Sequence, residues 1–335
     1  MTLATGVGSM PGGEPLGSET DNAREYAEAL SVVLGELAEA PHVPELPGRG
    51  AIASMTGRAL AVVTDLGADL QPAGWRLTDA AGVDLRRARS LLAQDLDAVE
   101  EQTQDYTGVF KTQLTGPWTL AATVEKPRGD RVLSDHGARR ELAQALAEGL
   151  RTHVADLRRR LPGVTELLVQ VDEPALPAVL AGAIPTASGF GRHRTIHPPE
   201  ASEALAEVFE AISQAGAVPI AHCCAADVPV ELLRKAGARG ISVDLAAVGA
   251  GVFDGLASAL EAGERVLLGV VPALDPASPV SDRSVGEKAQ RWLDMLGLEP
   301  SDNLVLTPAC GLAGSTPAWA RQALETVAKA ARSLS

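Results

Sequence analysis

The chain is expected to fold as an α/β protein, a parallel TIM (β/α)8 barrel ringed by helices. Three observations lead there. Short apolar runs alternate with longer amphipathic stretches from one end of the 335 residues to the other, the pattern of strand and helix units that share a parallel sheet. Eight such runs can be counted, the number that closes a barrel. Residues able to do chemistry, His222, Cys224, Asp244 and Cys310, stand at the C-terminal ends of these runs, where a barrel of this kind gathers its active site.

In order along the chain, residues 4–10 (ATGVGSM) give the first strand, and a helix is expected over 19–40. Residues 42–46 (HVPEL) give the second strand, the least typical of the eight because it is short and contains Pro44, which does not suit a central strand. Helices over 54–66 and 83–105 lead to the third strand, 108–114 (GVFKTQL), and a helix over 136–160 leads to the fourth, 166–171 (ELLVQV). A helix over 200–215 precedes the fifth, 218–222 (VPIAH). The last three, 240–245 (GISVDL), 265–271 (RVLLGVV) and 303–307 (NLVLT), are separated by helices over 228–235, 253–262 and 284–296, and a helix over 317–333 closes the chain. Two Gly- and Pro-rich stretches, 67–78 and 182–199, read as loop insertions within a single barrel domain spanning 1–335; they hold Trp75, His193 and His197. Loops of that length are uncommon unless they cover a site or move.

Composition narrows the function. With 29 Lys and Arg against 43 Asp and Glu, the net charge is -14, which repels phosphate backbones and excludes general nucleic-acid binding. Four Trp, two Tyr and four Phe give no stacking platform for single strands. No apolar run reaches the ~18 residues of a membrane span, and the N-terminal segment has neither a basic leader nor a signal-peptide core, so a cytoplasmic protein without membrane contact is expected. Three cysteines, two of them adjacent, make a poor disulfide framework and fit reduced thiols.

Side chains two apart on a strand share a face, so His222 and Cys224 point together while Cys223 points away. Taken alone, the same residues also fit a hydrogen-bonded core histidine and small buried thiols. Asp244 interrupts the apolar run GISVDLA, and a buried unpaired charge costs several kcal/mol, so a cation or donors are expected beside it. Cys310 ends the segment LTPAC. Two thiolates, an imidazole and a carboxylate form a zinc-binding set. Asp172 and Glu173 end the apolar strand LLVQV; Asp172 is the expected site carboxylate, and Glu173 points to the opposite face. Ser9 lies in the Gly-rich GSMPGG, where a turn hydroxyl is common.

Five segments, GVGSMP, LTGPWT, VQVDEPAL, AHCC and PACGL, resemble in that order those of the cobalamin-independent methionine synthases, in particular their catalytic C-terminal barrel, here as a short single-barrel form. The barrel of that family is similar in architecture to uroporphyrinogen decarboxylase. The resemblance implies a zinc-dependent methyltransferase that converts homocysteine to methionine, with methyltetrahydrofolate or a corrinoid carrier protein as methyl donor. It implies His222, Cys224 and Cys310 as zinc ligands, with Asp244 where the family places a glutamate, one methylene longer. It further implies Ser9 at the homocysteine carboxylate, and Asp172 and Glu45 as acids facing its ammonium, Asp172 being the catalytic candidate. Two other readings stay open on the residues: a diverged zinc-binding or apo protein that binds a sulfur amino acid, and a decarboxylase of the uroporphyrinogen type, for which Arg49 and Arg58 are the available carboxylate binders.

Overall fold

The computed structural model describes residues 2–15 and 17–334. Nine strands are named in chain order among them. They are β1 (Leu3–Ala4), β2 (Gly67–Gln71), β3 (Gly74–Thr78), β4 (Gly108–Thr115), β5 (Val164–Asp172), β6 (Val218–His222), β7 (Gly240–Asp244), β8 (Arg265–Val271) and β9 (Leu304–Pro308). Seven form one parallel sheet in the order β1-β9-β8-β7-β6-β5-β4. Helices cover its outer face, the longest being His136–Arg160 and Val83–Gln102. The fold is the expected TIM-like one, a curled parallel sheet with alternating helices.

The expected second strand forms no named strand, yet its backbone fills the gap between the two edges. Val43 N–H donates to Lys111 O at 2.9 Å and Lys111 N–H to Pro41 O at 2.9 Å on one side. On the other, Glu45 N–H donates to Gly8 O at 3.1 Å and Met10 N–H to Glu45 O at 2.8 Å. Pro44 has no N–H to give between these contacts, so the pairing remains a set of single bridges. The expected first strand likewise shortens to Leu3–Ala4 with one further bridge at Ser9.

The stretch 67–78, expected as a loop, is an antiparallel hairpin of β2 and β3 joined across Gln71 and Gly74. Its side chains alternate: Trp75 and Leu77 are buried while Arg76 turns outward to Glu125. That period of two was present in GWRLT, beneath a Gly and Pro content that reads as loop. Two short helices were not expected, Pro117–Thr123 and Leu176–Leu180; each follows a strand directly and has proline in its first turn, where the missing N–H costs nothing.

Inside the barrel, Leu168, Ile220, Leu267 and Val305 pack as a small apolar plug separate from the main core. Above it the strands carry polar groups inward. Lys111, wholly buried, donates from Nζ to Val7 O at 2.8 Å and to Gln113 Oε1 at 3.1 Å. Gln170 Nε2 donates to Val7 O at 2.9 Å. The apolar plug closes one end of the barrel, so a ligand enters from the other.

One buried group ties stability to pH. Burial, and then the charge of Arg58, push His153 on the helix His136–Arg160 down to about 4. The unfolded chain takes up this proton near the ordinary histidine value, whereas the folded chain refuses it until about pH 4. Stability from this group is therefore complete above the unfolded pKa and drains away as pH falls between the two values. The expected loss is at most about 3 kcal/mol. Urea unfolding of wild type and His153→Leu at several pH values reads it: the gap between their pH slopes should lie in this window, and parallel slopes would refute the assignment.

Candidate metal and substrate site

β6 ends at His222, and the chain continues through Cys223 to Cys224. Cys223 is fully buried away from the site, as the two-residue period requires. His222 Nδ1 lies 2.9 Å from Ser242 Oγ on the neighbouring β7, a contact that fixes the ring and leaves Nε2 as the free nitrogen. Ser242 was missed in the sequence; its signal was its place on the inward face of β7, two residues before Asp244.

Cys310 comes from the turn after β9, which is pinned by Ala309 N–H to Val271 O at 2.7 Å and Leu312 N–H to Ser9 O at 2.8 Å. Gly311 lets this turn approach Ser9 closely: a Cβ at this residue would sit 2.1 Å from Ser9 Oγ, and the hydroxyl would have to move. The ligand atoms of His222, Cys224 and Cys310 all lie within 4.8 Å of one another. The interaction of the two thiols with each other is the main influence drawing the Cys224 thiol below its ordinary range and pushing Cys310 up to about 12.

Asp244 does not join this cluster. Its Oδ1 accepts from Ala246 N–H at 2.8 Å, and its backbone carbonyl accepts from Ala247 and Val248. In this arrangement the carboxylate is engaged locally and stands outside the three-residue cluster. An aspartate at a strand end is short enough to bond the backbone two residues on, and that local bond holds the carboxylate over the turn.

Asp172 ends β5, and its Oδ1 accepts from Gln170 Nε2 at 2.7 Å. Burial pushes its carboxyl up to about 6, with His222, Gln170 and Lys111 opposing the rise and Glu45 adding to it. Glu45 is almost buried, with Arg58 Nε 3.3 Å from its Oε1. Ser9, Glu45, Asp172, His222, Cys224 and Cys310 line one cavity of about 380 Å³. The structure thus brings together every candidate except Asp244. Glu173 faces the other way. Its carboxylate accepts from Trp118 N–H at 2.9 Å, Thr119 N–H at 2.8 Å and Thr119 Oγ1 at 2.7 Å, holding the start of the helix Pro117–Thr123. Trp118 is packing, with Nε1 donating to Ala201 O at 3.0 Å.

The donor set fits a zinc ion. Cys₂His is soft and compact, the histidine is held from behind by Ser242, and three protein ligands leave a fourth position open, the pattern of catalytic zinc.

Residues 80–333 match the family described as cobalamin-independent synthase, catalytic domain. The chain belongs to this family. As a member of the cobalamin-independent synthases it is an enzyme of the methyltransferase class. Among solved structures, a B12-independent methionine synthase from Shewanella sp. W3-18-1 is similar at a TM-score of 0.65 and 14% identity, over 98% of this chain and 96% of that one. A 2,3-dimethylmalate lyase is similar at a TM-score of 0.40 and 13% identity, over 96% and 80% of the two chains. No curated protein matches the chain. Among the described residues no helix is long and apolar enough to cross a membrane.

Proposed function

We propose that this synthase methylates the thiol of homocysteine to give methionine, with one zinc ion held by His222, Cys224 and Cys310. The observation that carries the reading is the placement of three soft ligand atoms, mutually within 4.8 Å, in the same cavity as two carboxylates and a serine. The similar Shewanella structure was solved with selenomethionine, and the proposal takes that ligand class as a guide to this cavity.

The chain's own residues would act as follows. Asp172 and Glu45 hold the substrate ammonium between them, and the Ser9 hydroxyl donates to its carboxylate. This anchors the amino-acid end and directs the thiol sulfur towards the cysteine and histidine cluster. Bound there, zinc supplies a Lewis acid that lets a thiol ionise near neutral pH and act as a nucleophile. The sulfur electron pair then forms the bond to the methyl carbon as the donor's bond to that carbon breaks, and the donor keeps the electron pair. The open side of the cavity receives the donor, methyltetrahydrofolate or a methylated corrinoid carrier.

The test is zinc-loaded protein with L-homocysteine and each donor in turn, with methionine read by mass spectrometry. Methionine from either donor supports the reading, and none from both sinks it. A variant probes the anchor. Asp172→Asn removes one charge-assisted contact to the ammonium, so KM for homocysteine should rise about tenfold or more. The turnover number should change much less, because the lost contact is made before and during the reaction alike. Steady-state kinetics with an unchanged KM would remove Asp172 from the substrate site.

A further inference from the structure

Four buried charges form a network that reaches the cavity wall at Glu45, and the cluster of His222, Cys224 and Cys310 uses none of them. Asp95 lies on the helix Val83–Gln102, Arg58 on the helix Met55–Val62 and Arg49 in the turn Pro47–Arg49. Arg49 grips Asp95 with both ends of its guanidinium, at 2.8 Å and 2.7 Å. Arg58 Nη1 donates to Asp95 Oδ2 at 2.7 Å. The side chains of Arg49 and Asp95 are each 2% exposed. The fourth charge is Glu45, which alone among them is expected to touch the substrate.

The two ends of this chain of charges differ in geometry. At Asp95 both oxygens are occupied by aligned donors. At Glu45 the guanidinium lies close, Nε 3.3 Å from Oε1, yet Arg58 Nε makes no aligned hydrogen bond. Glu45 is therefore attracted by a cation while its lone pairs remain available. Sequestering four charges confers no stability that apolar residues of the same size could not supply. Their arrangement makes sense if it sets how Glu45 is presented to the cavity.

We propose that Arg58, clamped by Asp95 and Arg49, is a positioning residue that keeps Glu45 oriented and open for the substrate's ammonium group. This rests on the functional reading above. Asp95 holds the Arg58 fork turned away, so that it balances the charge of Glu45 without closing on both its oxygens. Without the clamp, Arg58 is free to pair with Glu45 through its fork, as Arg49 does with Asp95, and to compete with the ammonium.

Calorimetric titration of the zinc-loaded protein with L-homocysteine and with 4-mercaptobutanoate, the same thiol acid without its amino group, isolates this effect and needs no methyl donor. Wild type should prefer homocysteine. Asp95→Asn should cut that preference at least about fivefold, the size of a modest coupling between neighbouring charged groups. Its affinity for 4-mercaptobutanoate should stay within about twofold, since that ligand offers Glu45 nothing. Adding Asp95→Asn to Glu45→Gln should lower the preference no further than Glu45→Gln alone. Arg58→Lys, which keeps the buried charge but loses the fork, is the second variant should Asp95→Asn fail to fold, and it should also lower the preference. A wild-type preference in either folded variant overturns the proposal, as does a parallel loss for both ligands, which is the mark of a merely structural network. Wild type that binds neither thiol overturns the functional reading, and the inference falls with it. Wild type that binds both equally leaves the zinc site standing and removes the ammonium role from Glu45, which also overturns the proposal.

Discussion

Replacing Cys310 by serine is expected to remove zinc from the protein and abolish thiol methylation. Among the described residues three ligand atoms form the cluster, and the Asp244 carboxylate is turned to Ala246 N–H. Serine is a poor zinc ligand at neutral pH because its hydroxyl does not ionise there, whereas a thiol does so readily once coordinated. Two ligands remain in the variant, and metal affinity should fall by about a hundredfold or more, beyond the effect of losing an outer-shell partner. Elemental mass spectrometry of protein purified without chelators should find about one zinc per chain in wild type and almost none in Cys310→Ser or Cys224→Ser. Cys223→Ser is the control: its thiol is buried away from the cluster, and the variant should keep its zinc. Full zinc content and activity in Cys310→Ser would overturn the ligand assignment.

The second large effect concerns stability and is independent of the substrate. Glu173→Ala is expected to destabilise the fold by about 3–5 kcal/mol, because it strands the buried N–H groups of Trp118 and Thr119 and the Thr119 hydroxyl. The carboxylate is wholly buried, and Gly116 packs so close that a Cβ there would lie 2.4 Å from Glu173 Oε1. Glu173→Gln keeps one acceptor oxygen but sets its NH2 against one of these N–H groups, so at pH 8 it should cost about 1–3 kcal/mol, less than Glu173→Ala. The pH dependence has a definite sign. Burial pushes the Glu173 carboxyl up to about 7 from 4.5, so between these values the folded chain binds a proton that the unfolded chain has released. Its contribution to stability therefore grows as pH falls through this window, and wild type should gain on Glu173→Gln over the same range. Urea unfolding curves measure both effects. A loss below about 1 kcal/mol in Glu173→Ala would mean that the helix start finds other acceptors.

Much of the site is legible in the residues themselves. The strand period of two places His222 and Cys224 on one face and turns Cys223 away, and it separates Asp172 from Glu173; the structure has both arrangements. Alternation of apolar runs and amphipathic stretches places β6 and β8 at their observed bounds, and the helices His136–Arg160 and Pro317–Ser333 likewise. These features are local, set by the periodicity of a few neighbouring side chains. The hairpin at 67–78 was hidden for an equally local reason, since its Gly and Pro content masked the alternation of Trp75 and Leu77.

What the sequence by itself determined, then, is the alternating α/β plan, the inward face of each strand and the residue types that could bind a soft metal. Tertiary structure alone decided which of those residues meet. His222 and Ser242 touch because β6 and β7 are neighbours, and Cys310 arrives from a strand that is not adjacent to either. Arg58 finds Asp95 across 37 residues and Arg49 finds it across 46. Asp244, which lies in register for the site, accepts from an N–H two residues away. Periodicity fixes only the direction in which a side chain leaves the backbone. The partner it reaches depends on sheet order, on closure of the barrel and on the competition between a distant ligand and the nearest free backbone donor, none of which leaves a local mark in the chain.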